Sequence, residues 1–173
     1  MTPDQRSRRR ASPPTPARTR LAPSPVRRSP SSDDVHDVVY FRRHRDDDPT
    51  EHLPGREFLR STCPPKVRAT MVAVLAAVAA APPKRFVGGG YWEAMKEELA
   101  GWFEVRVDGP KRHHYRLYCL LDYDAVNSGQ DKPLLVIVCG LDKPFRSVLT
   151  KADYVGVRLL GDEYRSRNPR SLG

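Results

Sequence analysis

No run of apolar residues in this chain is long enough to cross a bilayer. The longest, Met71 to Ala81, falls short of the ~20 residues that a spanning helix needs. The arginines at the N-terminus are not followed by an apolar stretch, which argues against a secretory signal. Cysteine is scarce, and Cys63, Cys119 and Cys139 form neither a disulfide framework nor a metal-type spacing. Cys119 and Cys139 lie in apolar strand-like runs, where buried free thiols are ordinary. That usage suits a reducing compartment, so the expectation is a cytoplasmic protein with no membrane partner. His44, His52, His113 and His114 show no ligand spacing with Cys or carboxylates, so no metal and no cofactor is expected. Internal repeats are also missing. Gly88-Gly89-Gly90 lacks the strand–helix context and the following Lys-Ser/Thr of a phosphate cradle, and reads as a hinge.

What is there divides unevenly. The chain has 173 residues and a formal net charge of +9. Residues 1–30 carry Arg6, Arg8, Arg9, Arg10, Arg18, Arg20, Arg27 and Arg28 against Asp4 alone, which is +7 and leaves only +2 for residues 31–173. A nucleic-acid role for the body must therefore rest on local patches, not on bulk charge. Residues 1–34 are rich in Arg, Pro and Ser with almost no large apolar side chains, and cannot offset chain entropy by burial. They are expected to be a disordered tail: a solvated one, upstream codons read from a misplaced start, or an arm for RNA or another anionic surface. Residues 35–173 are expected to form one domain.

Within that domain Val38 to Phe41 reads as a first strand, and Glu57 to Arg60 as a helical turn. From Lys66 to Ala81, Val67, Met71, Val74, Leu75 and Val78 fall at helical spacing among alanines, with Pro64-Pro65 before and Pro82-Pro83 after. Trp92, Met95 and Leu99 predict a second, shorter helix over Tyr91–Leu99. Three strands follow: Gly101–Asp108, His113–Leu121 and Leu134–Cys139. In the first, Phe103, Val105 and Val107 alternate with Glu104, Arg106 and Asp108. In the second, Tyr115, Leu117, Cys119 and Leu121 share one face, and His114, Arg116 and Tyr118 the other. Asp108-Gly109-Pro110 predicts a hairpin between them. Leu141 to Ser147 reads as a loop, and Lys151 to Arg167 as a final helix closed by Asn168-Pro169. The predicted order is β-α-α-β-β-β-α, an α+β fold whose sheet has one packed face and one face carrying Arg, His and Tyr.

That order, with Trp102-Phe103-Glu104-Val105-Arg106, then His114-Tyr115-Arg116-Leu117-Tyr118, then Cys139-Gly140-Leu141-Asp142-Lys143-Pro144-Phe145-Arg146, resembles the RelE/ParE toxin superfamily. The resemblance is to its phage-derived, HigB-like branch and covers roughly residues 36–168. It implies a small RelE-like fold, an antiparallel-dominated sheet flanked by helices. It further implies the toxin of a type II toxin-antitoxin system, held inactive by a cognate antitoxin, expected to be a helix-turn-helix protein. Many members cleave mRNA at the ribosome, and others act on a protein target such as DNA gyrase, so the fold leaves the target open.

The implied chemistry is attack of a ribose 2′-OH on the adjacent phosphodiester. It needs a base, charge stabilisation on the phosphate oxygens and an acid for the departing 5′ oxygen. By the resemblance Arg106 is the strand arginine, suited to contact two phosphate oxygens. Arg116 is the second charge stabiliser, and Lys143 is the basic position after the last strand. His114 is the favoured proton carrier because imidazole titrates near neutral pH, with His113 and Tyr118 as alternatives. Arg146, Tyr118 and His113 are expected to contact substrate, Tyr118 by stacking on a base. Each residue also has a plainer reading. Arg106 between Glu104 and Asp108 suits cross-strand ion pairs; His113-His114 suit a solvated loop, and Lys143 and Arg146 ordinary surface charge. A non-enzymatic protein of the same fold, binding an antitoxin or another target, is the alternative function.

Overall fold

The computed structural model describes residues 30–81 and 90–173. Five strands form one mixed sheet in the order β1-β5-β4-β3-β2. They are β1 (Asp37–Tyr40), β2 (Trp92–Ala94), β3 (Trp102–Gly109), β4 (His113–Asp122) and β5 (Leu134–Pro144). β1 runs parallel to β5, and every other pairing is antiparallel. The helices are α1 (Pro54–Glu57), continued by a π-turn over Phe58–Thr62, α2 (Pro65–Ala80) and α3 (Lys151–Ser166). The architecture is α+β, as the sequence patterns predicted. Of the predicted tail, residues 30–34 are described: Asp34 is buried, and its carboxylate accepts from the Ser31 N–H at 2.8 Å. Residues 1–29, which hold the expected arm, lie outside the described residues.

Both faces of the sheet are covered, each by its own core. On one face α1, the π-turn and α2 bury Phe58, Val67, Met71 and Leu75 against Val105, Val107, Tyr115, Leu117 and Ile137. α2 starts on Pro65, where a missing N–H costs nothing. It ends at Ala81, extended at φ −130° and ψ 153° before Pro82, as a residue preceding proline favours. On the other face α3 packs Val157 and Tyr164 against Trp102, Tyr118, Leu120, Leu134, Val136 and Val138. A reciprocal cap starts α3: Thr150 Oγ accepts from the Asp153 N–H at 3.2 Å, and the Thr150 N–H donates to Asp153 at 2.6 Å. Gly161 lets α3 lie flat on the sheet, since a Cβ there would meet the Trp102 ring at 2.2 Å.

Three expectations are corrected. The helix over Tyr91–Leu99 does not form. Instead Trp92–Ala94 is the edge strand β2, and Glu97–Leu99 is one 3-10 turn entered through Glu97 at φ 53°. The physical reason is tertiary: Trp92 stacks on Phe103 at 4.9 Å while Met95 and Leu99 join the opposite core, so the three apolar residues serve two faces and not one helical stripe. β5 runs on to Pro144, which puts Lys143 in the sheet and not in a following loop. Nor is one sheet face wholly polar. α3 covers part of it, leaving a polar surface at the end where β3 and β4 meet their hairpin.

Candidate functional site

That uncovered end is built by register. Arg106 of β3 pairs directly with Arg116 of β4, which pairs with Leu141 of β5. One step toward the hairpin, Asp108, His114 and Lys143 form the next row. One step toward α3, Glu93, Glu104 and Tyr118 form the row behind. Side chains alternate along strands, so these three rows share one face. Four of the residues expected from the sequence, Arg106, Arg116, His114 and Lys143, are brought together in this way.

The electrostatics are closely balanced. Arg106 donates to Glu93 at 2.7 Å and lies 3.6 Å from Glu104. Arg116 donates to both oxygens of the same Glu104, at 2.9 and 3.3 Å. Glu104 is therefore the shared floor of the site, only 2% exposed. Burial raises its carboxyl above the usual value, and Arg116 and Arg106 pull against that rise. Two buried polar atoms nearby, Arg116 Nε and Tyr118 Oη, have no hydrogen-bond partner among the described residues. Glu93, Glu104 and Asp108 match the three fixed cations Arg106, Arg116 and Lys143, so the face as a whole carries little net charge.

His114 is held from two sides. Its Nδ1 lies 2.5 Å from Asp108 Oδ1, and the Phe145 ring stacks on the imidazole at 4.2 Å and 12°. With Nδ1 engaged by the carboxylate, Nε2 is the ring nitrogen left for proton exchange. Lys143 donates to the carbonyl of Ser147, tying it to the turn after β5.

The remaining expected residues fall elsewhere. His113 points to the opposite face of the sheet, where it pairs with Asp142 at 3.2 Å and neighbours Tyr115, because one step along a strand reverses the side chain. Tyr118 is fully buried under α3; burial raises its hydroxyl well above the usual value, with the Glu104 charge adding to that, so it cannot stack on a base. Arg146 is exposed in the turn after β5, with φ 66° and no ion pair among the described residues. Cys63, Cys119 and Cys139 are free and buried, and desolvation pushes the Cys63 and Cys139 thiols up to about 12. Among the described residues no group of three His, Cys, Asp or Glu side chains is placed to hold a metal ion, and no helix is long and apolar enough to cross a membrane.

Four site residues were not singled out from the sequence. Glu104 and Asp108 were legible only as ion-pair partners of Arg106, although alternation put them on its face. Glu93 was hidden by the helical reading of Tyr91–Leu99, and nothing in the local pattern pointed to Phe145. Comparisons with protein-family models, curated proteins and solved structures give no match for this chain.

Proposed function

We propose that this chain is a RelE-like toxin of the phage-derived, HigB-like kind, an endoribonuclease of a type II toxin-antitoxin system acting on mRNA at the ribosome. The observation that carries the reading is the direct cross-strand pairing of Arg106 with Arg116, one row from His114 and Lys143. Two guanidiniums side by side present parallel N–H donors to the oxygens of one phosphodiester. His114 Nε2, oriented by Asp108, takes the proton of the attacking 2′-OH or supplies one to the 5′ oxygen. Glu104, whose proton is held more firmly than usual, is the other member of the acid–base pair or the anchor of the two arginines. No step calls on a metal. A helix-turn-helix antitoxin would cover the same face, and the reading places the protein in the cytoplasm.

Primer-extension mapping of cellular mRNAs after induced expression tests this. New 5′ ends inside translated regions are expected for the wild type. They should be absent for Arg106→Lys and Arg116→Lys, which keep the charge facing Glu104 and so spare the fold. Unchanged mRNA ends in wild-type cells would overturn the reading.

One observation favours a second reading. Glu93 and Glu104 already pair with both guanidiniums, as expected of a structural charge network in a non-enzymatic protein that binds an antitoxin or another target such as DNA gyrase. Growth arrest with intact mRNA would select it.

A further inference from the structure

Beside the balanced site, at its rim, stand three cations that face solvent without a carboxylate. Lys111 and Arg112 form the tip of the β3–β4 hairpin, and Arg146 lies in the turn after β5. All three are exposed, and none makes an ion pair or side-chain hydrogen bond among the described residues. The two segments are tied together, since the Phe145 N–H donates to the Arg112 carbonyl at 2.7 Å. Lys111, Arg112 and Arg146 each hold a left-handed backbone, with φ of 56°, 58° and 66°, a conformation that non-glycine residues adopt at a cost of about 1 kcal/mol or more. Phe145, half-buried between them and His114, adds an aromatic ring to the same edge.

We infer that Lys111, Arg112 and Arg146 form a phosphate-binding rim that holds the single-stranded RNA flanking the reacting linkage. The inference rests on the reading of the neighbouring face as an RNA-cleaving site. Its physical argument is one of matching. A face with balanced charge gains little from the polyanion as a whole, whereas three unmatched cations release counterions on binding. Cations interleaved with an aromatic ring suit a strand of nucleotides, which brings both phosphates and planar bases. An acidic peptide brings carboxylates but no base for the ring.

The test uses the full chain and a short single-stranded RNA carrying 2′-O-methyl groups, which cannot be cut by 2′-OH attack. Binding is followed by fluorescence anisotropy across a salt series. The Lys111→Gln/Arg112→Gln/Arg146→Gln variant is expected to bind about tenfold more weakly at moderate salt. Its plot of log affinity against log salt should be shallower by about 2, at about 0.7 per lost phosphate contact on a single strand. The charge-keeping variant Lys111→Arg/Arg112→Lys/Arg146→Lys should retain the wild-type slope. If the triple Gln variant does not fold, the three single variants should each lower the slope by about 0.7. An unchanged slope overturns the inference, and so does competition by polyglutamate as strong as that by RNA of equal charge, which would assign the rim to an acidic protein. Intact binding by the wild type with no cleavage of cellular mRNA would sink the nuclease reading and leave the rim standing.

Discussion

Arg106 and Arg116 stand directly opposite one another on adjacent antiparallel strands, and both reach the same buried carboxylate, that of Glu104. Like charges in direct cross-strand pairing repel, and Glu104, shared by both guanidiniums, together with Glu93 on Arg106 offsets that repulsion. The carboxylate both stabilises the pair and competes with any phosphate that approaches it.

Glu93 is the competitor that can be removed most cheaply. Its pair with Arg106 is about one-third exposed on each side, at 35% and 32%, so its contribution to stability is about 0.5 kcal/mol. Glu93→Gln should leave the melting temperature nearly unchanged while freeing one face of the Arg106 guanidinium. RNA affinity is expected to rise several-fold, read by anisotropy beside the wild type. A fall in affinity would mean that Glu93 orients Arg106 and does not compete for it.

Glu104 makes stability depend on pH in a defined direction. Its folded pKa lies above its usual value of 4.5, so the native state binds this proton more firmly than the unfolded chain. The group's contribution is fully present below that value and is lost as pH rises through the folded pKa. Against Glu104→Gln, whose amide does not titrate, the wild type should therefore lose melting temperature from acid toward neutral pH. The variant should also lose RNA cleavage if the carboxylate takes part in proton transfer or in holding both arginines.

Asp122 gives the opposite sign at the other end of the sheet. Burial would raise it, but hydrogen bonds from the Tyr164 hydroxyl at 2.7 Å and Arg170 Nε at 2.9 Å hold it below its usual value. This contribution is present above the unfolded pKa and is lost as pH falls through the depressed one. Arg170→Ala should cost about 3 kcal/mol in denaturant unfolding, since it leaves a nearly buried carboxylate without its cation. A cost near zero would show that Tyr164 alone satisfies Asp122.

Gly161→Ala tests how tightly α3 sits on the sheet. Alanine is the better helix former by about 1 kcal/mol, yet the added methyl would overlap the buried Trp102 ring. The expected net effect is a loss of about 1–2 kcal/mol, since overpacking a core outweighs the propensity gain. A stabilised variant would mean that helix and sheet are loosely apposed.

The parts of this fold that were legible in the sequence are those where a local pattern and a tertiary contact agree. Period-2 alternation from Phe103 to Asp108 located β3 and put Arg106 on the face it occupies, and the Asp108-Gly109-Pro110 turn located the hairpin. Helical spacing with flanking prolines located α2. Trp92, Met95 and Leu99 misled because spacings of three and four also satisfy a chain that crosses from one core to the other. Tyr118 belongs to the same strand face as Arg116, but only the position of α3 determines that one is covered and the other open. His113 needed no structure to be placed: alternation from His114 already put it on the opposite side. Glu93 required the long-range pairing of β2 with β3, which no local signal carries.

The most direct measurement is the end chemistry of RNA fragments from cells expressing the wild-type protein and the Arg106→Lys/Arg116→Lys variant. Attack by a 2′-OH held between the two guanidiniums and His114 should leave 2′,3′-cyclic phosphates and 5′-hydroxyls in wild-type cells and no such fragments in variant cells. Fragments with 5′-phosphates, or the same cyclic ends from the variant, would contradict it.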